Sequence, residues 1–181
     1  SVTYFGDGAA NQGQVYESFN MATLWKLPTV FVIENNKYGM GTSVARAAAG
    51  GDLSQRGVSF GIPGRKVDGM DVLAVREAAD EAIAHARNDG PVILEMETYR
   101  YRGHSMSDPA KYRTREEVNK FRTERDPIEH LRELLLAEKH ADENRLKQID
   151  REIRDIVADA AEYAQNSPEP DPSELYTDVL A

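Results

Sequence analysis

The fold follows from two short stretches, SVTYFGDG at residues 1–8 and TVFVIENN at residues 29–36. Each is a β-favouring run that ends in turn-forming residues, and residues 12–25 between them carry apolar side chains at helical spacing. This order predicts a β-α-β unit, in which two parallel strands end at the same edge of a sheet. Asp7 and Asn36 follow these two strands, so we expect them to lie together at that edge.

The residues at this predicted edge suit a metal ion and a diphosphate. Gly6 and Gly8 flank Asp7 and let the backbone approach a ligand closely. The helix that follows directs unpaired N–H groups towards the same edge, where they favour phosphate. Carboxylate, amide and carbonyl oxygens are donors that Mg²⁺ or Ca²⁺ accepts in proteins. Taken separately, both stretches are also compatible with ordinary tight turns.

Composition and charge narrow the classes of function. Acidic residues outnumber basic ones 31 to 22, for a net charge of −9, which argues against a nucleic-acid-binding surface. There are no cysteines, which excludes a disulfide framework, a thiolate metal site and a cysteine nucleophile. The sequence contains no signal peptide, lipidation pattern or apolar run of bilayer length. We therefore expect a cytoplasmic protein that binds neither nucleic acid nor a membrane.

The rest of the chain alternates helix and strand before it becomes wholly helical. The predicted elements are a short helix at 52–57 closed by Gly57, a brief strand at 65–67, a helix at 71–86 capped by Asp71, a strand at 91–98, and charged helices that begin near Thr114 and Asp126. These elements predict an α/β fold with an open, mostly parallel sheet and flanking helices. We assign residues 1–125 to this α/β domain and residues 126–181 to a helical segment and tail.

The first strand begins at residue 1 without a preceding methionine. Its apolar pattern is typical of a buried parallel strand with a neighbour on each side. We therefore expect the chain to be the carboxyl-terminal portion of a longer polypeptide.

A second stretch of functional interest is YRYRGHSMSDPAKYR at residues 99–113, directly after the third strong strand. Basic and aromatic residues gather there in a loop at the carboxyl end of a strand, where α/β sheets place ligand contacts. His104 could act as an acid or base near neutral pH, or could be a hydrogen-bonded structural residue. We expect the loop to be mobile without a ligand, because nothing in its sequence offers an apolar face.

Several runs of the sequence resemble one family. They are GDGAANQG at 6–13, NMA at 20–22, LWKLP at 24–28, ENNKYGMGTS at 34–43, VDGMD at 67–71 and GHSMSDP at 103–109. Together they resemble the alpha subunits of the pyruvate dehydrogenase component of the 2-oxo acid dehydrogenase complexes, a thiamine diphosphate-dependent family. The resemblance weakens beyond about Pro127. It implies about the carboxyl-terminal two-thirds of such a subunit, with a thiamine diphosphate-binding fold that is incomplete at its amino terminus.

The resemblance also implies roles for individual residues. Asp7 and Asn36 would bind magnesium through their side chains, and Tyr38 through its backbone carbonyl. His104 would be the catalytic residue, near the diphosphate. The cofactor would be contacted by these four residues and by Gly6, Gly8, Ala9 and Gly39. Ser105 matches the serine that is phosphorylated in mitochondrial enzymes, but Lys111 stands where a second such serine is expected, so a bacterial enzyme without kinase control is the simpler interpretation.

The activity implied by the resemblance is thiamine diphosphate-dependent oxidative decarboxylation of pyruvate, with transfer of the acetyl group to the lipoyl group of a partner acetyltransferase. The implied assembly is an alpha2beta2 heterotetramer, whose beta subunit supplies the glutamate that activates the cofactor. The implied location is the bacterial cytoplasm, or the mitochondrial matrix in a eukaryote. The residues at positions 11–12, 39–41 and 106–109 are similar to those of the pyruvate branch of the family rather than to those of the branched-chain branch.

Three alternatives stay open at this point. The chain could be a folded, non-catalytic fragment or interaction module of that subunit. It could carry out the same chemistry on a branched-chain 2-oxo acid. A Rossmann dehydrogenase is less favoured, because no Gly-x-Gly-x-x-Gly pattern follows Phe5.

Overall fold

The computed structural model describes residues 1–178 of the chain. The strands and helices in chain order are β1 (Val2–Gly6), α1 (Gly13–Leu24), β2 (Val30–Asn35), β3 (Tyr38–Gly39), β4 (Thr42–Ser43), α2 (Val44–Ala47), β5 (Gly64–Asp68), α3 (Val72–Asn88), β6 (Val92–Glu97), α4 (Arg115–Glu124), α5 (Pro127–Ala137) and α6 (Glu143–Asn166). Short 3₁₀ helices lie at Ala9–Asn11, Leu53–Phe60 and Pro172–Tyr176.

Four strands form one parallel sheet in the order β1-β2-β6-β5. Val2 lies opposite Val30, and Val30 lies opposite Val92. All the pairings are parallel, so the carboxyl ends of the four strands meet at one edge. The two central strands, β2 and β6, are nearly continuous runs of apolar residues, because both of their faces are buried. The predicted α/β class with a parallel sheet and flanking helices is confirmed.

The helices cover the two faces of the sheet with separate apolar clusters. On one face, α1 packs Phe19 against Phe31 of β2, with the ring centroids 4.9 Å apart and the rings edge to face. On the other face, small residues of α3 such as Ala78 and Ala82 pack against Leu94 of β6. Alternate residues of each central strand therefore belong to different cores, as the two-residue period of a strand requires.

Among residues 1–178, the first strand has a neighbour on one side only, and the expected second neighbour stays a prediction for the longer polypeptide. β1 is an edge strand, and Val2 and Tyr4 are 48% and 67% exposed. The helix α3 packs against β2, β5 and β6. An apolar strand sequence predicts burial, but the number of neighbours depends on strand order, which local sequence does not encode.

The predicted helix at 52–57 is longer than expected and has a different terminator. The 3₁₀ helix runs over Leu53–Phe60 and is followed by Gly61, whose φ of 74° lies in the left-handed region. Gly57 instead lies in the core, because a Cβ built there would be 2.6 Å from Cδ1 of Ile93. Gly57 therefore serves close packing and does not end the helix.

The chain divides into two compact units, residues 1–131 and residues 132–181. The first contains the sheet. In the second, Asp142 caps α6, and Ile149, Ile153 and Ile156 on that helix are 38–62% exposed. The predicted domain boundary after residue 125 stays a prediction. The last part of the predicted tail, residues 179–181, lies outside the described residues.

Within residues 1–178, no helix combines the length and the apolar character that crossing a membrane requires.

Candidate functional site

The ends of β1 and β2 bring Asp7 and Asn36 together. The Asp7 side chain is 4% exposed, and the backbone N–H of Asn36 is close enough to its carboxyl group to lower the Asp7 pKa. Gly8 and Gly39 touch through their backbones, because a Cβ built at Gly39 would be 3.2 Å from Cα of Gly8. The same Cβ would be 3.7 Å from Oδ2 of Asp7. Adjacent parallel strands therefore place the two loops in direct contact, as the β-α-β pattern predicts.

Burial changes the pKa of the Asp7 carboxyl group. Desolvation raises the pKa of Asp7 above its ordinary value, and the backbone N–H groups of Asp7 and Asn36 oppose this shift only in part. The positive charges of Arg100 and Lys37 also lower the Asp7 pKa, by smaller amounts. A cation bound directly to this carboxylate would favour its charged form much more strongly. The Asp7 environment is therefore compatible with a bound divalent metal.

Two side-chain amides shape the loop that carries Asn36 and Tyr38. Oδ1 of Asn35 accepts a hydrogen bond from the Lys37 N–H at 3.1 Å, and Oδ1 of Asn36 accepts one from the Tyr38 N–H at 3.3 Å. Lys37 has a φ of 75°, a conformation that residues other than glycine rarely adopt. Its ammonium group also forms an ion pair with Glu97 at the end of β6. The loop is therefore held by several specific contacts.

Arg100 contacts the carbonyl groups of this loop. Its guanidinium donates to the carbonyl of Tyr38 at 3.4 Å, to that of Met40 at 2.6 Å and to the hydroxyl of Tyr112 at 2.9 Å. A carbonyl oxygen has two lone pairs, so the weak contact with Arg100 leaves Tyr38 able to bind a cation. Sequence reasoning treated Arg100 only as part of a basic loop. Its position at the end of β6, beside the end of β2, is the signal that could have identified it.

Tyrosines hold residues 99–113 against the rest of the first unit. The ring of Tyr112 packs on that of Tyr38, with centroids 5.0 Å apart, and the ring of Tyr99 stacks on Phe121 at 4.0 Å. The buried guanidinium of Arg113 lies over the Tyr99 ring, 5.4 Å from its centroid. The expectation that this loop offers no apolar face is therefore wrong, because its tyrosines provide one. Its mobility without a ligand stays a prediction.

His104 and Ser105 lie on the exposed part of this loop. The imidazole of His104 has no hydrogen-bond partner among the described residues, but its backbone N–H donates to Oδ2 of Asp108 at 2.7 Å. The same oxygen accepts from the hydroxyl of Tyr112 at 2.7 Å. The Ser105 hydroxyl lies 3.1 Å from that of Ser107. His104 is thus connected to Arg100 through Asp108 and Tyr112, and the structure gives it no direct contact with Asp7 or Asn36.

The Asp108 contacts predict a pH response of this loop. Hydrogen bonds from the His104 N–H, the Tyr112 hydroxyl and the Ala110 N–H lower the pKa of Asp108 from 3.8 to about 2. Because the folded-state pKa is depressed, the interactions are complete above the ordinary value and are lost as the pH falls through about 2. The amide NMR signal of His104 should therefore not titrate near pH 3.8. A midpoint there, or an unchanged His104 signal in Asp108→Asn, would contradict this contact network.

The donor set at the sheet edge contains only one carboxylate. Among residues 1–178, no three His, Cys, Asp or Glu side chains lie together as a metal cluster. Asp7, the Asn36 amide and the Tyr38 carbonyl could supply three oxygens, and the other positions of a magnesium ion would need ligand oxygens or water. Gly8 and Gly39 carry no side chain that would keep a phosphate group away from their backbone N–H groups. The residues present therefore fit a diphosphate with its cation.

The sequence is similar to one family of known proteins. Residues 1–173 match the family described as "Dehydrogenase E1 component". The chain is 68% identical to the pyruvate dehydrogenase E1 component subunit alpha of Rhizobium meliloti (strain 1021) and 57% identical to that of Zymomonas mobilis, over 99% of this chain and 52% and 51% of those proteins. It is 55% identical to the mitochondrial subunit of Solanum tuberosum, over 97% of this chain and 44% of that protein.

The chain spans about half the length of these curated relatives, which is less than the two-thirds expected from the sequence. The family match covers the parallel sheet, both loops at its edge and residues 99–113. The chain therefore belongs to the dehydrogenase E1 component family.

Proposed function

We propose that this chain is the part of a pyruvate dehydrogenase alpha subunit that holds thiamine diphosphate through magnesium. The observation that carries the proposal is the buried Asp7 carboxylate, which meets Asn36 where the backbones of Gly8 and Gly39 touch. The names of the relatives, which are pyruvate dehydrogenase E1 alpha subunits, support it.

Each residue of the site has a separate task in this proposal. Asp7, Asn36 and the carbonyl of Tyr38 would hold the magnesium ion. The backbones of Gly6, Gly8, Ala9 and Gly39 would contact the diphosphate. When bound, the cofactor supplies the electron sink that decarboxylation of a 2-oxo acid needs, and the protein supplies position and electrostatics.

His104 is proposed to act in the transfer of the acetyl group. Its exposed imidazole lies on a loop, where a lipoyl group carried by a partner acetyltransferase could reach it. We assign it the role of proton donor to the sulfur that leaves when the dithiolane opens. Asp108 would set the direction of this loop, because it binds the backbone of His104.

The complete enzyme would be an alpha2beta2 assembly, because the glutamate that activates the cofactor is assigned to a beta subunit. Pyruvate is proposed as the substrate in preference to branched-chain 2-oxo acids. The bacterial relatives support a cytoplasmic location, and the potato relative supports the mitochondrial matrix for a eukaryotic source.

Release of carbon dioxide from labelled pyruvate tests the proposed function. The complete subunit, assembled with its beta subunit, should release carbon dioxide only when both magnesium and thiamine diphosphate are present. A higher kcat/KM for a branched-chain 2-oxo acid would replace pyruvate as the substrate. The non-catalytic alternative concerns this chain itself, and carbon dioxide release by this chain assembled with the beta subunit would rule it out.

Phosphorylation of Ser105 is proposed as a means of control. The Ser105 carbonyl accepts the Asp108 N–H at 3.1 Å, so a phosphate there would lie close to an existing carboxylate and would repel a diphosphate. Ser105→Glu should weaken cofactor binding about tenfold at low salt, with a smaller effect at high salt. Ser105→Gln is the uncharged control. Isothermal titration that gives equal affinities for the two variants would contradict this electrostatic control.

A further inference from the structure

Glu95 is a fully buried carboxyl residue to which sequence reasoning gives no role. It lies in the central strand β6, between Leu94 and Met96, and its relative exposure is 0%. A buried carboxyl group in a core strand is costly unless hydrogen-bond donors surround it. Its contacts therefore indicate what it is used for.

Glu95 joins two segments that are distant in sequence. Its Oε1 accepts a hydrogen bond from Nδ2 of Asn35 at 2.6 Å, and its Oε2 accepts one from the backbone N–H of Ser54 at 2.9 Å. Oδ1 of Asp52 also accepts hydrogen bonds from Ser54, from its backbone N–H at 3.1 Å and from its hydroxyl at 2.6 Å. Asn35 and Ser54 are themselves 2% and 1% exposed, so water does not replace these partners.

The contact with Asn35 sets the shape of the loop that carries Asn36. Because Nδ2 of Asn35 donates to Glu95, the other end of the amide, Oδ1, faces the Lys37 N–H and accepts from it. That bond supports the left-handed conformation of Lys37. Asn36 lies between these two residues, and its backbone is close enough to the Asp7 carboxyl group to lower the Asp7 pKa.

The contact with Ser54 leads to the other loop of the site. Ser54 lies in the first turn of the 3₁₀ helix Leu53–Phe60, and Arg56 of that helix donates to Oδ1 of Asn11 at 3.0 Å. Asn11 in turn donates to the backbone carbonyl of Asp7 at 3.4 Å. Glu95 is therefore linked to the Asn36 loop by hydrogen bonds, and to the Asp7 loop by hydrogen bonds and the backbone of the 3₁₀ helix between Ser54 and Arg56.

We propose that Glu95 is a positioning residue for the bound cation, because its buried carboxyl group fixes the Asn35 amide and thereby the placement of Asn36 opposite Asp7. The inference rests on the proposed function, in which Asp7 and Asn36 hold the metal. It assigns Glu95 no contact with the metal itself.

Manganese binding measured by electron paramagnetic resonance tests this role without any turnover. Free Mn²⁺ is titrated into the complete, assembled protein with thiamine diphosphate present, at a temperature well below the unfolding midpoint of every variant. Glu95→Leu fills a similar volume but accepts no hydrogen bond, so Mn²⁺ affinity should fall by about 10 to 100-fold. Glu95→Gln keeps one acceptor for Asn35 and should stay within about threefold of the parent protein.

A control separates positioning from general stability. Leu94→Ala opens a cavity on the opposite face of the same strand and lowers stability without touching Asn35. The inference is overturned if Glu95→Leu binds Mn²⁺ as the parent does, if Glu95→Gln binds as weakly as Glu95→Leu, or if Leu94→Ala weakens binding as much. Asp7→Asn tests the proposed function in the same assay. If Asp7→Asn leaves the Mn²⁺ affinity unchanged, both the proposed function and the inference are contradicted. If Asp7→Asn lowers the affinity but Glu95→Leu binds Mn²⁺ as the parent does, only the inference is contradicted.

Discussion

Asp7→Asn is expected to weaken cation-dependent cofactor binding strongly while leaving the free protein at least as stable as before. The side chain is buried and supplies the only carboxylate of the proposed donor set. Loss of a buried charged partner typically costs about 3 to 5 kcal/mol, which corresponds to a loss of affinity of at least about 100-fold. No other described carboxylate is assigned to the metal, so compensation is not expected.

Asp7→Asn should raise the stability of the protein without bound ligand, although it weakens cofactor binding. The pKa of Asp7 is raised in the folded state, chiefly by desolvation, so folding favours its protonated form. The associated stability is fully present below the unfolded-state pKa and is lost as the pH rises through the folded-state value. At neutral pH the buried, charged carboxylate therefore lowers the stability of the free protein. The neutral asparagine removes this unfavourable contribution.

Thermal unfolding with and without magnesium and thiamine diphosphate measures both effects. The parent protein should gain in Tm when the two are added, and Asp7→Asn should gain much less at the same concentrations. Asp80→Asn is the matched control, because Asp80 is an exposed residue of α3 paired with Arg76. A full ligand-dependent gain in Asp7→Asn would rule out Asp7 as a metal ligand.

Gly64→Ala is expected to have the largest effect on folding. A Cβ at Gly64 would lie 1.8 Å from the carbonyl oxygen of Ser54 and 2.7 Å from its carbonyl carbon. Both atoms belong to the backbone, so no side-chain rotation can relieve the overlap. Either β5 or the 3₁₀ helix Leu53–Phe60 must move, and the expected loss in free energy of unfolding is about 4 kcal/mol or more.

Gly13→Ala is the matched control for that substitution. Nothing lies within 4 Å of a Cβ at Gly13, which is the first residue of α1. Alanine there should be neutral or stabilise the protein by up to about 1 kcal/mol. Denaturant unfolding followed by circular dichroism compares the two variants. A Gly64→Ala protein within about 1 kcal/mol of the parent would show that the backbone at Ser54 adapts at low cost.

The secondary structure and the neighbourhood of Asp7 and Asn36 follow from the sequence. Apolar spacing locates α1 and α3, and Asp71 and Thr114 cap helices where expected. Two parallel strands joined by one helix end at the same edge whatever the rest of the chain does. The residues that follow them could therefore be paired by chain topology alone.

Tertiary structure alone decided the contacts that cross between distant segments. The order β1-β2-β6-β5 places β6 between β2 and β5 and leaves β1 at an edge. This order results from pairing between distant strands, and the spacing of apolar residues within a single strand does not encode it. It also decides that Glu95 meets Asn35, 60 residues away, and that Arg100 meets the carbonyl of Tyr38, 62 residues away. A carboxyl residue in an apolar run and an arginine in a basic loop have no distinguishing local pattern, so their roles appear only when the packed strands bring their partners within hydrogen-bond distance.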